Sequence, residues 1–248
     1  LSLPKERLES VAFSLSDSPG TYYGRNADTT AELAQSLDLS SWPRVYLLFS
    51  HRFWIDNDFD AARIEISTDG GNSWTGVAGE DSDVPSGVGR QTPDAPVYDG
   101  RIYEWTEERV DLSAFAGPGN DNVRIRFRML SDGAIGLDGW LIDDVRIVGF
   151  TGSADRKIPN DPYPLFLVRS GDDVELAWPP VQPDPNHDVA DAYIIYRTPW
   201  IKADRGFIPV GTVLDATGID PFAISAPSNY AYRVVATNCA GNSSEPPP

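Results

Sequence analysis

Acidic side chains are the groups in this chain with the clearest capacity for chemistry. The 248 residues include 37 Asp and Glu against 20 Lys and Arg, which gives a net charge of −17. Acids recur in three segments: SDSPG (16–20), IDNDFD (55–60) and GWLIDDVRIVGF (139–150). Carboxylate oxygens are the ligands that hard cations such as Ca²⁺ prefer. The alternative interpretation is a set of solvated acidic loops that hold no specific ion.

Asp143 is the most informative of these acids. On an extended strand it shares a face with Leu141 and Val145, because side chains alternate. If that face lies in the core, Asp143 points inward, and a buried carboxylate needs a cation or several hydrogen-bond donors. A divalent ion and an ion pair with an arginine such as Arg124 or Arg63 are the two alternatives.

The segment IDNDFD places Asp56, Asp58 and Asp60 at alternating positions. This spacing imitates the beginning of an EF-hand loop, but the Gly and the distal Glu of that motif do not follow in register. The segment is therefore predicted to be an acidic hairpin tip, with a secondary ion site as the alternative.

Signatures of catalysis are absent from the sequence. It contains no His-Glu-x-x-His and no Gly-x-Ser-x-Gly motif. The two histidines, His51 and His187, fall in different predicted domains, so neither a zinc site nor a Ser-His-Asp triad is indicated. Cys239 is the single cysteine, so an intramolecular disulfide cannot form. The chain is predicted not to be an enzyme.

Aromatic residues provide a second functional signal. Exposed aromatic rings offer apolar faces on which sugar rings stack. The alternative is that the same rings pack inside the protein or cap its ends. The candidates are Trp42, Trp54, Trp105, Tyr22, Tyr23 and Tyr103, of which Trp54, Trp105, Tyr22 and Tyr23 are the predicted ligand-binding residues.

The elements that position these groups are predicted to be strands. Short runs of β-branched and aromatic residues recur between Gly, Pro, Asn and Asp, and helical periodicity is scarce. Apolar residues alternate with arginines in NVRIRFRML (122–130), as in a strand with one buried face. The fold class is therefore all-β. The other predicted strands are 11–15, 44–54, 61–67, 103–112, 139–150, 173–178, 191–198, 207–213 and 230–238.

Two domains are predicted, because the strand pattern stops near residue 150 and resumes after a stretch rich in proline. We expect one sandwich over 1–150, a linker over 151–162 and a smaller sandwich over 163–248. The polar segment 78–102 is a long loop inside the first domain, and loops of this length are either functional or mobile.

The segment STDGGNSW (67–74) resembles the Asp-box turn of sialidase propellers. Asp69 is expected to accept backbone N–H groups across the turn, and Gly70 and Gly71 to supply positive φ. Trp74 is expected to pack on the returning strand. A single copy of the motif indicates a structural turn and not a catalytic part.

The second domain resembles a fibronectin type III module. The likeness is carried by Trp178 in DVELAW, by AYIIYR (192–197), and by YAYRVVATNCAGNSSEP (230–246), where Tyr230 stands at the position of the family's tyrosine corner. This resemblance implies an immunoglobulin-like β-sandwich that acts as a spacer or a protein-contact domain.

The first domain resembles the jelly-roll module of secreted bacterial peptidases of the immune inhibitor A type, and is similar to MAM domains and to the cleaved-adhesin domains of gingipain-like proteins. The likeness covers residues 11–150 and departs from the family at Ile55-Asp56, where a Glu is expected. It is carried by an ordered series of segments: SDSPGTYYGRNADTT, LDLS, HRFWIDNDFD, IEISTDGGNSWT, DLSAFAG, VRIRFRMLSDG and GWLIDDVRI.

The resemblance implies a structural Ca²⁺ that joins the first loop to the last strand of the jelly roll. Asp143 and Asp17 would be its ligands, with backbone carbonyls nearby. The wider set of predicted metal residues adds Asp144, Asp56, Asp58 and Asp60.

The sequence thus predicts a non-catalytic accessory or adhesive region of a secreted or cell-surface bacterial protein. Its expected partners are a protein or glycan at the cell surface or in the extracellular matrix, and other domains of a larger parent protein. The alternatives are a C-terminal region that assists the folding or substrate presentation of a secreted peptidase, and a carbohydrate-binding module. The first residues, LSLPKERLES, lack an initiator Met and a leader pattern, which we interpret as a processed chain or an excised fragment.

Overall fold

The computed structural model describes residues 14–150, 156–199, 207–221, 223–224 and 229–243. Within them the chain forms strands and one short 3-10 helix at Ser113–Phe115, which confirms the all-β prediction. The strands are β1 (Leu15–Ser16), β2 (Asp28–Glu32), β3 (Arg44–Ile55), β4 (Ala61–Ser67), β5 (Thr75–Val77), β6 (Gly100–Asp111), β7 (Arg124–Leu130), β8 (Gly139–Phe150), β9 (Phe166–Ser170), β10 (Asp173–Ala177), β11 (Ala192–Pro199), β12 (Ile208–Val213), β13 (Thr217–Asp220), β14 (Tyr230–Asn238) and β15 (Gly241–Asn242).

The N-terminal sandwich consists of two antiparallel four-stranded sheets, as a jelly roll does. One sheet has the order β1-β8-β3-β6 and the other β2-β7-β4-β5. Side chains of both sheets fill a common core, with Leu47 and Phe49 from one and Ile64 and Ile125 from the other. The alternation predicted for β7 is confirmed, since its apolar residues are buried and its arginines are partly exposed.

The C-terminal sandwich consists of a three-stranded sheet, β13-β10-β9, and a four-stranded sheet, β12-β11-β14-β15. Trp178 lies in its core and meets the ring of Tyr193 edge-on, with ring centroids 5.2 Å apart. Strands β9 and β13 were not among the predicted strands, and β9 is exposed at all five residues. An exposed strand buries too little of its sequence pattern for periodicity to reveal it.

A β-bulge in β8 changes which of its side chains face the core. The register with β3 shifts between Ser50 and Leu48, and Asp144 adopts a left-handed backbone conformation with φ of 51°. Trp140 and Ile142 point into the core, whereas Asp143 is half-buried on the outer face. The expectation that Asp143 points inward is therefore wrong, and the reason is that strict alternation was applied across an irregular strand.

The long segment before β6 is held against the N-terminal sandwich. Val97 pairs with Asp83, and Tyr98 pairs with Ala62 through backbone hydrogen bonds of 2.8 and 3.1 Å. The ring of Tyr98 is fully buried and stacks on Trp140 at 5.0 Å. The predicted loop thus contributes to the core at its end.

The two sandwiches contact each other through the outer face of the sheet that contains β3 and β6. Tyr46, Leu48 and Phe150 form a small buried apolar cluster with Ala192 of β11. This contact covers part of a sheet face that would otherwise expose apolar side chains to water.

Glu107 is the main polar group of this contact. Its carboxylate is 4% exposed and accepts hydrogen bonds from the Thr212 backbone N–H (3.1 Å) and hydroxyl (2.7 Å), and it pairs with Arg146. Arg109 adds a hydrogen bond to the Tyr196 hydroxyl at 3.3 Å. Glu107 and Arg109, two charged residues of the N-terminal sandwich, are therefore hydrogen-bonded to uncharged groups of the C-terminal sandwich.

Candidate metal centre

Three carboxylates from distant parts of the chain meet at one end of the N-terminal sandwich. Asp56, Asp60 and Asp132 each place a carboxylate oxygen within 4.8 Å of the others. Asp60 is fully buried, and the other two are half-buried. We refer to these three residues as the Asp56 cluster.

The turn between β3 and β4 and the end of β7 position the cluster. Asp56 follows the last residue of β3, and the Asp60 N–H donates to the Asp56 carbonyl at 3.1 Å, which closes the turn. Asp132 lies just after β7, and its backbone N–H donates to Asp60 Oδ1 at 2.7 Å. Neighbouring strands β4 and β7 thus bring together residues that are 72 positions apart.

Tyr23 is the fourth member of this arrangement. Its hydroxyl donates to Asp60 Oδ2 at 2.7 Å and accepts from the Asp56 backbone N–H at 3.0 Å. Tyr23 is 4% exposed, so its assignment as an exposed ligand-binding aromatic is wrong. The polar end of the ring is used inside the protein, which is the usual fate of a buried tyrosine.

The electrostatics of the Asp56 cluster favour a cation. Burial, followed by the neighbouring negative charges of Asp132 and Asp56, raises the pKa of Asp60. Burial and the charges of Asp132 and Asp99 likewise raise the pKa of Asp56. Carboxylates that repel one another in a partly desolvated place are stabilised in their charged form by a bound cation.

The donor set fits a hard cation such as Ca²⁺. All three side chains offer oxygen, and Ca²⁺ takes six to eight oxygen ligands including carbonyls and water. Asp58, the middle acid of IDNDFD, is exposed and lies outside the cluster. Its backbone N–H donates to Asp99 Oδ2 at 2.7 Å, and its φ of 68° turns the chain at the hairpin tip.

The other predicted metal residues lie elsewhere. Asp17 accepts a hydrogen bond from the Trp140 backbone N–H at 2.9 Å, and its second carboxylate oxygen is buried without a partner in the described part of the chain. Asp143 accepts from the backbone N–H of Asp144, which is exposed. Neither predicted arginine partner, Arg124 or Arg63, contacts Asp143, and a metal role for the three acids stays a prediction.

A second polar cluster joins His51, Asp81 and Glu108 under the long segment before β6. The Trp140 indole N–H donates to His51 Nδ1 at 3.2 Å, so the proton of the neutral ring is on Nε2, which donates to Asp81 Oδ2 at 3.0 Å. A ring with both nitrogens engaged in this way has no free lone pair for a metal. We therefore interpret this cluster as a structural network.

Glu108 is the central acid of this network. It is fully buried and accepts backbone N–H groups of Glu80, Asp81 and Arg109, at 2.7, 2.9 and 2.5 Å. Burial and the charge of Asp81 nevertheless raise the pKa of Glu108 to about 8. The carboxyl group thus holds its proton to a higher pH than an exposed glutamate does.

The predicted aromatic residues divide between core and surface. Trp54, Trp105 and Tyr22 are 37%, 38% and 61% exposed. Trp42 packs partly buried against the core of the N-terminal sandwich, and Trp140 lies inside it. Exposed rings are therefore present, but the structure does not bring Tyr22 and Tyr23 together as one surface.

The turn at Asp69 has the expected structural role. Its Oδ1 accepts the backbone N–H groups of Asn72 and Ser73 at 3.0 and 2.9 Å, and Gly70 and Gly71 have φ of 74° and 98°. The hydrogen bond from the Ser73 hydroxyl to Oδ2, followed by the one from the Ser73 backbone N–H, holds the pKa of Asp69 well below its usual range. The motif terminates β4 and starts β5.

Comparison with known proteins shows the family to which the chain belongs. Residues 1–153 match the family described as immune inhibitor A-like, MAM domain. The chain belongs to this MAM domain family. Because the match extends over more than half of the chain, it confirms the resemblance seen in the first domain.

Two curated relatives of the MAM domain are peptidases. Bacillopeptidase F of Bacillus subtilis (strain 168) is 30% identical over 101 residues, which cover 41% of this chain and 6% of that protein. The pre-pro-metalloprotease PrtV of Vibrio cholerae serotype O1 (strain M66-2) is 27% identical over 148 residues, which cover 59% of this chain and 15% of that protein. The chain therefore corresponds to a small part of each relative.

A solved structure of low similarity is the β-1,2-glucanase from Parabacteroides distasonis, which is 14% identical, with a TM-score of 0.35 over 95% of this chain and 32% of that one.

The MAM domain itself is a non-catalytic accessory domain, and the catalytic parts of its relatives lie in other regions of their chains.

Asp132 of the MAM domain is the cluster residue that sequence reasoning missed. It occurs in LSDG, directly after the strongly periodic strand β7. An acid at the end of a buried strand is a recognisable signal. The pairing of β7 with β4, which sets it beside Asp60, is not visible in either segment alone.

Proposed function

We propose that this chain is a calcium-stabilised accessory region of an extracellular bacterial peptidase, and that it assists the folding of the peptidase or presents substrate to it. The observation that carries this proposal is the MAM family membership combined with two peptidase relatives of which the chain matches only a small part. Among the described residues, no helix is long and apolar enough to cross a bilayer.

The C-terminal sandwich is proposed to be a fibronectin type III module. Its sheets, β13-β10-β9 and β12-β11-β14-β15, divide seven strands in the three-plus-four pattern of small immunoglobulin-like sandwiches. The buried Trp178 against Tyr193 supports this assignment. Such a module docked on the MAM domain gives the accessory region two parts with a defined spacing.

Ca²⁺ is proposed to bind at the Asp56 cluster. The support is the approach of three carboxylates, two of which have a raised pKa because they are desolvated close to other acids. A cation there would tie the turn after β3 to the end of β7 and thereby connect the two sheets of the MAM domain. Its expected contribution is structural, because ligands from distant segments are fixed only in the folded chain.

The calcium proposal is tested by the melting temperature of the full chain in calcium and in excess EGTA. Calcium should raise the melting temperature, and Asp60→Asn should remove most of that difference. Asp58→Asn is the matched control, because it removes one charge from the same turn at an exposed position with φ of 68°, which Asn tolerates. An unchanged melting temperature on chelation, or an equal effect of both variants, would contradict the site.

The peptidase proposal is tested in the natural parent protein. The coding sequence next to this region should contain a peptidase domain, such as a metalloprotease with a His-Glu-x-x-His motif or a serine protease. Deletion of the region should lower the yield of active peptidase or its rate on protein substrates more than its rate on a short peptide. A parent without a peptidase domain would refute the assignment and leave the calcium test unaffected.

A further inference from the structure

An aromatic and cationic surface lies on the open half of the sheet face that the C-terminal sandwich partly covers. Trp54, Tyr103 and Trp105 are 37%, 61% and 38% exposed there. Arg52 and Arg101 lie among these rings. We call these five residues the aromatic platform.

The backbone register explains why the platform residues share one face. The buried residues of β3, Phe53 and Ile55, point into the core, so Trp54 points outward. Trp54 is paired directly with Arg101 of the neighbouring strand β6. A register shift in β6 opposite Arg52 then leaves Tyr103 and Trp105 both exposed. The platform is thus built on two hydrogen-bonded strands and not on a loop.

The two arginines are oriented by stacking, and within the described part of the chain neither has a carboxylate partner. The guanidinium carbon of Arg101 lies 4.2 Å from the Tyr103 ring centroid and 5.8 Å from that of Trp54. Arg52 lies 5.3 Å from the Trp105 ring, and its Nε is buried without a hydrogen-bond partner among the described residues. Neither forms a salt bridge in the part of the chain that the structure describes.

Without ion pairs among the described residues, Arg52 and Arg101 remain two uncompensated positive charges in a chain with 37 acidic side chains and a net charge of −17. Glu104, which lies between Tyr103 and Trp105 in sequence, is turned toward Arg197 of the C-terminal sandwich at 3.4 Å. Stacking on a ring fixes a guanidinium group and leaves its N–H edge free, the arrangement that binds carboxylates in a bidentate manner. The platform is therefore a locally cationic surface on a protein with a large negative net charge.

We propose that the aromatic platform binds a carboxylated polysaccharide. The free guanidinium edges match the carboxylates of acidic sugar rings, and the exposed ring surfaces match their apolar faces. A sugar polymer fits better than an acidic peptide because three exposed rings offer faces on which sugar rings stack. β6 is an edge strand of its sheet, so pairing of a peptide along it is the outcome that the polyglutamate probe tests. This ligand goes beyond the proposed accessory role and does not depend on it.

The test uses the full chain with hyaluronan oligosaccharides, neutral dextran and polyglutamate as probes in isothermal titration calorimetry. Hyaluronan should bind and dextran should not. The double variant Arg52→Gln/Arg101→Gln should weaken hyaluronan binding on the order of a hundredfold, since each of the two lost charged hydrogen bonds reduces affinity by about tenfold. Tyr103→Ala should weaken it as well.

Two control variants separate the platform from general effects of charge and exposed rings. Arg169→Gln removes a positive charge at an exposed position in the C-terminal sandwich, and Phe166→Ala removes a ring of the same sandwich that is 55% exposed, close to the 61% of Tyr103. Both should bind hyaluronan as the unmodified chain does, and circular dichroism should show all variants folded. The proposal is overturned if hyaluronan fails to bind, if the controls lose as much affinity as the platform variants, or if polyglutamate binds equally while Tyr103→Ala has no effect.

Discussion

Replacement of Glu107 by alanine tests whether the two sandwiches form one stable unit. Glu107 belongs to the N-terminal sandwich, and the groups it accepts from, the Thr212 N–H and hydroxyl, belong to the C-terminal one. Thr212 is only 7% exposed, so both donors would remain buried without an acceptor. Each buried unsatisfied group costs about 1–3 kcal/mol.

The contacts of Glu107 determine how much of the free energy of unfolding is lost in Glu107→Ala. The Thr212 hydroxyl can rotate, so it contributes at the low end of that range, whereas the backbone N–H cannot. The Arg146 side chain is 43% exposed and regains water when Glu107 is removed, so we assign it no further cost. The free energy of unfolding should therefore fall by about 2–4 kcal/mol in Glu107→Ala.

The assay is urea unfolding followed by tryptophan fluorescence, with hydrogen exchange as a local readout. Glu104→Ala is the matched control, because Glu104 lies on the same strand and contacts the other sandwich, but is 57% exposed in its ion pair with Arg197. That variant should lose about 0–1 kcal/mol. Exchange should increase in both β6 and β12 in Glu107→Ala. Equal, small effects of the two variants would refute the conclusion that the contact stabilises the chain.

Three further predictions follow from other parts of the fold. Leu48→Ala should lower the free energy of unfolding by about 2–4 kcal/mol, because Leu48 is 1% exposed and lies between the sandwiches. In the same urea assay the control Leu214→Ala, at a residue that is 61% exposed, should change the free energy of unfolding by no more than about 0.5 kcal/mol. Because Glu108 keeps its proton to about pH 8 when folded and loses it near its ordinary value of 4.5 when unfolded, stability should decline as pH rises from 4.5 to 8. In Glu108→Gln the free energy of unfolding should depend less on pH between 4.5 and 8. The same pH dependence in the variant and the unmodified chain would count against a raised pKa of Glu108. Asp69→Asn should destabilise the chain at neutral pH. The difference in the free energy of unfolding from the unmodified chain should shrink as pH falls through 3.8 and below, because the pKa of Asp69 is depressed in the folded chain. A difference that is independent of pH would argue against a depressed pKa.

Local patterns were sufficient for the strands and for the turn at Asp69. The strands 61–67, 139–150 and 230–238 begin and end where the sequence predicts, because short runs of β-branched and aromatic residues bounded by Asp, Gly and Asn mark strands in the sequence itself. The hydrogen bonds of Asp69 all lie within four residues of it. Such features depend on neighbours in the chain and can be inferred before any tertiary contact is known.

The sites required the tertiary structure. The bulge at Asp144 made the predicted inward orientation of Asp143 wrong. A bulge inserts one extra residue into the strand, and no residue type in this segment indicates where that residue lies. Asp132 joins Asp56 and Asp60 only because β7 pairs with β4. Tyr23, predicted to be an exposed ring, is buried with its hydroxyl hydrogen-bonded to Asp60 and to the Asp56 backbone N–H.

The amino-acid sequence by itself determined that this protein is all-β, acidic and related to a non-catalytic accessory domain, because those properties follow from composition, periodicity and ordered motifs. Only the tertiary structure decided which carboxylates stand together, which aromatic rings reach solvent and where the two sandwiches meet. These outcomes depend on strand pairing between distant segments, and pairing is selected by the burial of the whole core and not by any one stretch of chain.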